Sequence, residues 1–473
     1  MPPPRSNMWS FWRNFGRRTL CSLLLAFIIT VLVVASYALS GGRSDLIQAL
    51  SASFSRDFAF TTNQSSTERP KETMQSIKDC SFSSPQVEKS YLDKREIQLT
   101  SRRIPTITEL EQDEPHLFSV IPHQFLHSCR SPCWYQNYSG NDSSDPYGTN
   151  AYSLYAKRLR NIFEDMKQRF WSHLTVREGV YYRLRCLPHF YIIGQPKCGT
   201  TDLYDRLRLH PNVHFSVIKE PHWWTRKRFG IVRLKEPFHK PYAVEDYLDL
   251  FDMAAQKIQD FHSENLLSDS GPTDQILTGE ASASTMWDNS AWSYFYDNVT
   301  NTEPPVLIQD FIHAFQPSAK FIVILRDPVE RLYSDYLYFA IANKSAEDFN
   351  DKVNESLQMF ESCLQASSLR SCAYNTTFSN TLPCALKEPG TGSHLCHFVM
   401  ILAGSGLIKS TGPLSGEQEA SVTHKQASNS RRPQDCSLGP MLPPTRQILI
   451  DFYRPYNQKL SQLLADRAYL WET

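Results

Sequence analysis

Three stretches of the chain place a short apolar run ahead of a polar turn. Residues 190–193 (FYII) have a strand pattern, followed by a glycine-containing turn and a segment with Leu203 and Leu207 four apart, the spacing of one helix face. Residues 213–215 (VHF) precede a polar loop over 219–224. Residues 321–325 (FIVIL) read as a continuous buried strand, followed by Arg326-Asp327-Pro328 and a helix with Leu332, Tyr336 and Phe339 on one face. Residues 244–258 between them read as a single amphipathic helix. Strands alternating with helices predict an α/β domain with a largely parallel sheet and helices on both faces. Ligands of such sheets sit at the carboxyl ends of the strands, where the polar motifs fall here.

Near the N-terminus the pattern changes. Residues 19–39 are apolar or small, about the ~20 residues a membrane helix needs. Arg5, Arg13, Arg17 and Arg18 precede them without an acid, which orients the N-terminus toward the cytosol. The run is longer than a signal-peptide core and lacks a clean A-x-A exit. Residues 41–105 are rich in Ser, Thr, Lys and Glu with little periodicity, the composition of a poorly ordered stem. The expected order is a cytoplasmic tail (1–18), a signal-anchor helix (19–40), a luminal stem (41–105) and one luminal globular domain (106–473). No internal repeat is evident.

Lys plus Arg equals Asp plus Glu at 49 each, a formal net charge of zero. That gives no basis for a nucleic-acid partner, so an anionic ligand must be held by a local cluster. Seven N-x-S/T sequons follow the apolar run, at Asn63, Asn137, Asn141, Asn298, Asn343, Asn354 and Asn375. A luminal setting permits disulfides. Cys363 and Cys372 are spaced for a small loop, whereas Cys129, Cys133 and Cys186 can pair in several ways. No C-x-x-C pair with a nearby His completes a zinc set, and no metal is expected.

The sharpest motif is GQPKCGTT over residues 194–201, directly after a strand and opening a helix. Successive N–H groups and the positive end of a helix dipole make such a turn an anion cradle. Lys197, Cys198, Gly199, Thr200 and Thr201 are its candidate binding residues. It nearly fits the nucleotide-triphosphate loop, but Thr200 rather than Lys follows the second glycine. A kinase or NTPase would need that Lys and a magnesium-binding carboxylate at a strand end. Asp327 imitates the second requirement only, and it follows Arg326, which suits an anion better.

PKCGTT resembles the 5′-phosphosulfate loop of sulfotransferases that use 3′-phosphoadenosine 5′-phosphosulfate (PAPS). The resemblance implies a parallel-sheet, P-loop-like domain. It also implies Lys197 at the phosphosulfate and a 3′-phosphate site made by Arg326 and Ser334. Arg suits bidentate phosphate contact and Ser adds a hydroxyl donor. Residues 219–224 (KEPHWW) resemble the segment whose Glu acts as base, which makes Glu220 the candidate catalytic base and His222 its competitor. Beside Trp223 and Trp224 a carboxylate is expected to have a raised pKa, suiting base work near neutral pH. The Trp pair itself reads as core before sugar platform.

Longer segments, including 188–211, 218–234, 279–289 and 325–340, extend the likeness over about 106–382 and from about 412 to the end. They resemble the carbohydrate branch of the family that acts on 4-sulfated N-acetylgalactosamine. This implies sulfuryl transfer from PAPS to its 6-hydroxyl in chondroitin or dermatan sulfate. It further implies a Golgi type II membrane enzyme with a sulfated glycosaminoglycan acceptor, and leaves a homo-oligomer open. Residues 279–282 (GEAS) lack the Lys that heparan enzymes carry after the Glu, so no substrate lysine is assigned there. Arg431 occupies the place of the last 3′-phosphate loop. Residues 383–411 depart from the family pattern: they are rich in Gly and Pro and include an apolar stretch at 396–408 too short to span a membrane. Few regular elements are expected there, and low activity. The alternative function is therefore a catalytically impaired variant or scaffold that keeps the fold.

Overall fold

The computed structural model describes residues 102–141, 143–231, 240–264, 276–289, 291, 303–339, 344–374 and 438–471. The expected membrane helix at 19–40, nearly all of the stem, Arg431 and residues 383–411 lie outside them. Among the described residues no helix is long and apolar enough to cross a membrane.

In chain order the elements begin with α1 (Ile107–Asp113), α2 (Pro115–Val120), β1 (Cys133–Tyr138), α3 (Ala151–Tyr155), α4 (Arg160–Phe170), β2 (Thr175–Arg177) and β3 (Val180–Cys186). The centre of the domain follows: β4 (Phe190–Gly194), α5 (Thr200–Leu207), β5 (Val213–Phe215), α6 (Val244–Leu248), α7 (Asp252–Glu264), β6 (Leu277–Glu280), α8 (Ile308–Phe315) and β7 (Lys320–Val323). Last come α9 (Pro328–Phe339), α10 (Ala346–Ala366), α11 (Leu369–Tyr374) and α12 (Pro443–Leu464).

Strands β5, β6, β4 and β7 form a parallel sheet in that spatial order. The chain leaves β4 for β5, returns to fill β6 between them, and then crosses to β4's other side for β7. The carboxyl end of β4 is therefore flanked by connections running both ways, where such sheets bind ligands. Side chains of β4 alternate between two cores. Phe190 and Ile192 pack with Tyr204, Leu203 and Leu207 of α5, whereas Tyr191 and Ile193 join a cluster with Trp223, Tyr247, Phe311 and Phe315. Helices thus cover both faces, as a parallel sheet requires.

Two expectations need correction. The strand predicted over 321–325 is Lys320–Val323, and it is half-exposed, with Phe321 42% accessible. Among the described strands it is an edge that pairs with β4 alone. The helix predicted over 244–258 is broken by a 3-10 turn at Asp249–Phe251. A 3-10 turn eclipses residues i and i+3. Asp249 and Asp252 consequently face the same way and share Arg183 and Arg185 of β3, with Arg185 Nη1 donating to Asp249 at 2.6 Å and Asp252 at 3.1 Å. All four are buried. Their mutual pairing fastens the connection from β5 onto a second, antiparallel sheet of order β1-β3-β2.

A disulfide joins Cys133 and Cys186, opposite residues of β1 and β3, and leaves Cys129 buried as a thiol. A second, Cys363–Cys372, ties α10 to α11 as the spacing anticipated. Helices α9, α10 and α12 pack around Tyr333, Phe349 and Tyr453.

Strand β6 has only the sequence LTGE, and Gly279 explains how it fits. A Cβ there would lie 2.5 Å from Phe190 Cζ and 2.9 Å from the Phe215 ring. The rings meet edge to face across this gap, centroids 5.3 Å apart. Gly279→Ala should therefore force the pair apart and cost about 1–3 kcal/mol. Urea unfolding checks this, and an unchanged midpoint would show that the strand has slack the packing does not suggest.

Candidate active site at the carboxyl edge of the parallel sheet

The turn after β4 is locked to the exit of β7. Gln195 N–H donates to Ile324 O at 3.0 Å, and Ile324 N–H donates to Gly194 O at 2.9 Å. Lys197 and Gly199 then take the left-handed region, with φ of 64° and 98°. Gly199 meets that demand without strain, whereas Lys197 does not. Gly199 is also the N-cap of α5, and no side chain caps this helix. The first N–H groups of α5 therefore keep their hydrogen-bonding capacity toward the turn, at the positive end of the helix dipole. Thr200 is buried and Thr201 half-buried.

Opposite the turn stands α9. Lys197 Nζ lies 3.6 Å from the ring centroid of the exposed Tyr338. Ser334 is four residues earlier on the same helix face, so that face meets the turn. Arg326, at the exit of β7, offers its backbone to the Cys198 sulfur. Burial pushes the Cys198 thiol up to about 11 despite the nearby Arg331 and Arg326, so it stays neutral. The Arg326 guanidinium is part-exposed, with Glu330 Oε2 at 3.7 Å. Asp327 is a helix cap, its Oδ1 accepting from Val329 N–H at 2.9 Å, which gives it an ordinary structural role at the start of α9. The structure thus gathers Lys197, Cys198, Gly199, Thr200, Thr201, Arg326 and the Ser334 face of α9 at one sheet edge. Among the described residues no group of three or more His, Cys, Asp or Glu could hold a metal ion.

The loop with Glu220 and His222 reaches the same edge. Both take left-handed backbone, φ 59° and 51°, and with Lys197 they make three of the six described non-glycine residues with positive φ. Such strain concentrates at functional sites, and here it falls on all three candidate catalytic residues. The loop is pinned to the chain just after β6. Glu220 N–H donates to Ala281 O at 3.0 Å and His222 N–H to Ser282 Oγ at 3.1 Å. His222 Nδ1 is 2.7 Å from Ser284 Oγ, which is 3.1 Å from Thr225 Oγ1. Lys219 Nζ is paired with Glu220 Oε1, and His222 Nε2 is 3.6 Å from Glu220 Oε2.

The expected raised pKa of Glu220 is overturned. Burial does push its carboxyl up, but His222 and Lys219 pull it down to about 2. The Trp residues that prompted the expectation turn away from it into the core. Trp223 stacks on Tyr247 at 5.0 Å, and its indole N–H donates to Tyr242 O and Ala243 O. His222 is itself pushed down by burial, against the pull of Glu220. The raised carboxyl is Glu280, at the end of β6. Burial pushes it to about 7, Ser282 Oγ donates to its Oε1 at 2.5 Å, and Oε2 has no partner. Sequence reasoning missed Glu280, Ser282, Ser284 and Thr225. Ser282 and Ser284, 60 and 62 residues from His222, carry no pattern that marks them, and neither does Thr225, three residues after His222, nor Glu280 at the end of β6.

Residues 188–374 match the family model described as the sulfotransferase family. Carbohydrate sulfotransferase 15 of Homo sapiens is 49% identical over 98% of this chain and 88% of its own length. That of Rattus norvegicus is 48% identical with the same coverage. Among solved structures, a sulfotransferase from Alicyclobacillus acidocaldarius matches 60% of this chain and 99% of its own at 16% identity, with a TM-score of 0.31.

Glu280 sets a pH dependence of stability. Its folded pKa of about 7 lies above the ordinary 4.5. As pH rises past 4.5 the unfolded chain releases this proton while the folded chain keeps it. Stability is therefore lost progressively until pH passes about 7, by about 3 kcal/mol in total. Glu280→Gln should remove that loss, so the variant gains on the wild type between pH 5 and pH 8 in urea unfolding. A stability difference that is the same at both pH values would contradict the assignment.

Proposed function

The chain belongs to the carbohydrate sulfotransferase family, and on that premise we propose that it transfers a sulfuryl group from PAPS to the 6-hydroxyl of N-acetylgalactosamine 4-sulfate in chondroitin or dermatan sulfate. The observation that carries this reading is the meeting, at one sheet edge, of an uncapped helix start with Lys197 and a strained loop bearing an ionised Glu220.

The residues suit PAPS. The uncapped start of α5 and Lys197 offer N–H groups and a cation to the phosphosulfate end, through the turn of Cys198, Gly199, Thr200 and Thr201. Arg326 and Ser334 offer a guanidinium and a hydroxyl to a 3′-phosphate, and the sequence likeness adds Arg431, outside the described residues, as a further contact. Bound there, PAPS supplies an activated sulfuryl group on a phosphate leaving group. Lys197 and the turn's N–H groups stabilise negative charge at the leaving oxygen. Glu220 takes the proton of the acceptor hydroxyl. Near a pKa of about 2 it is a weak base at rest, so its basicity grows when Lys219 moves off Oε1.

The chain is further read as a single-pass type II Golgi membrane protein. Residues 1–18 are cytosolic, 19–40 cross the bilayer, 41–105 form the stem and 106–473 the luminal domain. The cationic flank of residues 19–39 supports this orientation, and two disulfides fit an oxidising lumen.

The test is turnover of radiolabelled PAPS by the full-length chain on chondroitin 4-sulfate, with the label recovered at the sugar 6-position. Label at another position would overturn the acceptor assignment. Retained binding of 3′-phosphoadenosine 5′-phosphate without turnover would favour the scaffold reading. Lys197→Ala should abolish turnover. Arg326→Ala should weaken nucleotide binding measured by calorimetry, and unchanged affinity would remove Arg326 from the site. Glu220→Gln keeps the shape but cannot accept the proton, so its rate should drop by roughly 10²-fold or more with nucleotide binding intact. A near wild-type rate would transfer the role to His222.

A further inference from the structure

Glu220 and His222 both qualify by position as the proton acceptor, and their surroundings distinguish them. Ser284 Oγ lies 2.7 Å from His222 Nδ1 and 3.1 Å from Thr225 Oγ1. Ser284 and Thr225 are 2% and 1% accessible, so water does not settle which way these protons point. Each hydroxyl has one proton to give. Two arrangements satisfy them. In the first, Thr225 donates to Ser284, Ser284 donates to Nδ1, and the imidazole carries its proton on Nε2. In the second, Nδ1–H donates to Ser284, Ser284 donates to Thr225, and Thr225 turns to His222 O at 3.5 Å.

Glu220 decides between them. Its Oε1 is ion-paired with Lys219, and its Oε2 faces His222 Nε2 at 3.6 Å. The second arrangement would set a ring lone pair against a carboxylate. The first sets an N–H against it, over a distance that shortens readily when a site closes on its substrate. Both arrangements keep the 3.1 Å contact between the hydroxyls, and the first gives up only the long 3.5 Å contact to His222 O. A doubly protonated ring is disfavoured by burial of the imidazole and by Arg226, although Glu220 and Asp288 pull the other way.

We infer that Thr225 and Ser284 are positioning residues that impose the Nε2–H tautomer on His222, making it a donor to Glu220 and leaving Glu220 the sole proton acceptor of the pair. The inference rests on the reading of Glu220 and His222 as the pair that meets the acceptor hydroxyl. With both ring nitrogens engaged, His222 has no lone pair free for that proton. Its N–H instead holds one oxygen of Glu220 in place, so the other is the one that receives the proton once Lys219 leaves it.

The hydroxyl pair also keeps His222 neutral. A donor on Nδ1 stabilises the unprotonated ring, so removing it raises the pKa of His222. In Ser284→Ala the ring would then charge at a pH where the wild type remains neutral. A charged His222 holds the Glu220 carboxylate more tightly and weakens it as a base. The rate of this variant should therefore acquire an acid limb that the wild type lacks.

The tautomer is read directly by long-range proton–nitrogen correlation spectra of the full-length chain labelled with ¹⁵N-histidine, with His222 identified by its loss in His222→Gln. The expected result at neutral pH is an unprotonated Nδ1 and a protonated Nε2. The reverse tautomer, or a doubly protonated ring, overturns the inference without any appeal to activity. Ser284→Ala should lower kcat by about 10-fold and add the acid limb, with KM for PAPS unchanged within about twofold. Thr225→Val, which removes the donor to Ser284, should weaken the preference for that tautomer, and Thr225→Ser should behave as wild type. An unaltered pH profile in folded Ser284→Ala would also overturn it. If Glu220→Gln kept its rate while His222 showed the expected tautomer, the base assignment would fail and the hydroxyl chain would stand.

Discussion

The short segment after β6 is hydrogen-bonded on both sides, and the site depends on this. On one side Ala281 O and Ser282 Oγ hold the backbone of Glu220 and His222. On the other, Met286 N–H donates to Ile193 O at 3.0 Å, and Met286 packs against Gly194, where the turn of Lys197 begins. A loop with two residues in the left-handed region does not hold that shape by local preference. The contacts that hold it come from a strand exit that is itself fixed between β4 and β5. Registering Glu220 against the turn is thereby a consequence of sheet order, and it needs no direct contact between Glu220 and Lys197.

The same segment divides two carboxylates into different states. Glu220 has a cation on one oxygen and an imidazole near the other, whereas Glu280 has only the neutral hydroxyl and backbone donors of Ser282 and an unpartnered Oε2 in the core. Burial acts upward on both, and the charge of the donors decides the direction: Lys219 and His222 pull Glu220 down, whereas the neutral donors of Ser282 do not offset the deeper burial of Glu280. Tyr191, Tyr152 and Tyr247 crowd the surroundings of Glu280 without donating to it, and their hydroxyls are pushed well above the ordinary range by burial.

Much of this was legible in the chain, for identifiable reasons. A strand followed by a glycine turn and a helix is a local pattern, so the turn of Lys197 and the strand that feeds it could be read directly. Arg326 was legible as the residue leaving an apolar strand. The direction of the Glu220 shift was not, because sequence adjacency to Trp223 says nothing about where that indole points. The left-handed backbone at Glu220 and His222 sends their side chains one way and the Trp pair the other. Strand β6 was missed because LTGE has no apolar run: it is a strand because two neighbours flank it and Gly279 makes room for their rings. The break at Asp249–Phe251 was missed because its cause, the Arg183 and Arg185 pair, lies on a strand more than sixty residues earlier.

The two glutamates are also linked to each other. The charge of Glu220 contributes to the raised pKa of Glu280. Such coupling is reciprocal, so neutralising either carboxylate eases ionisation of the other. When Glu220 gains a proton, the like charge that disfavours ionisation of Glu280 disappears, and Glu280 becomes more acidic than in its resting state. Ser282 lies between them, donating to Glu280 while accepting from the backbone of His222. A change of charge at Glu280 is therefore felt as a change in the hydrogen bond that holds the His222 backbone. The buried acid and the loop backbone thus share one hydroxyl, that of Ser282.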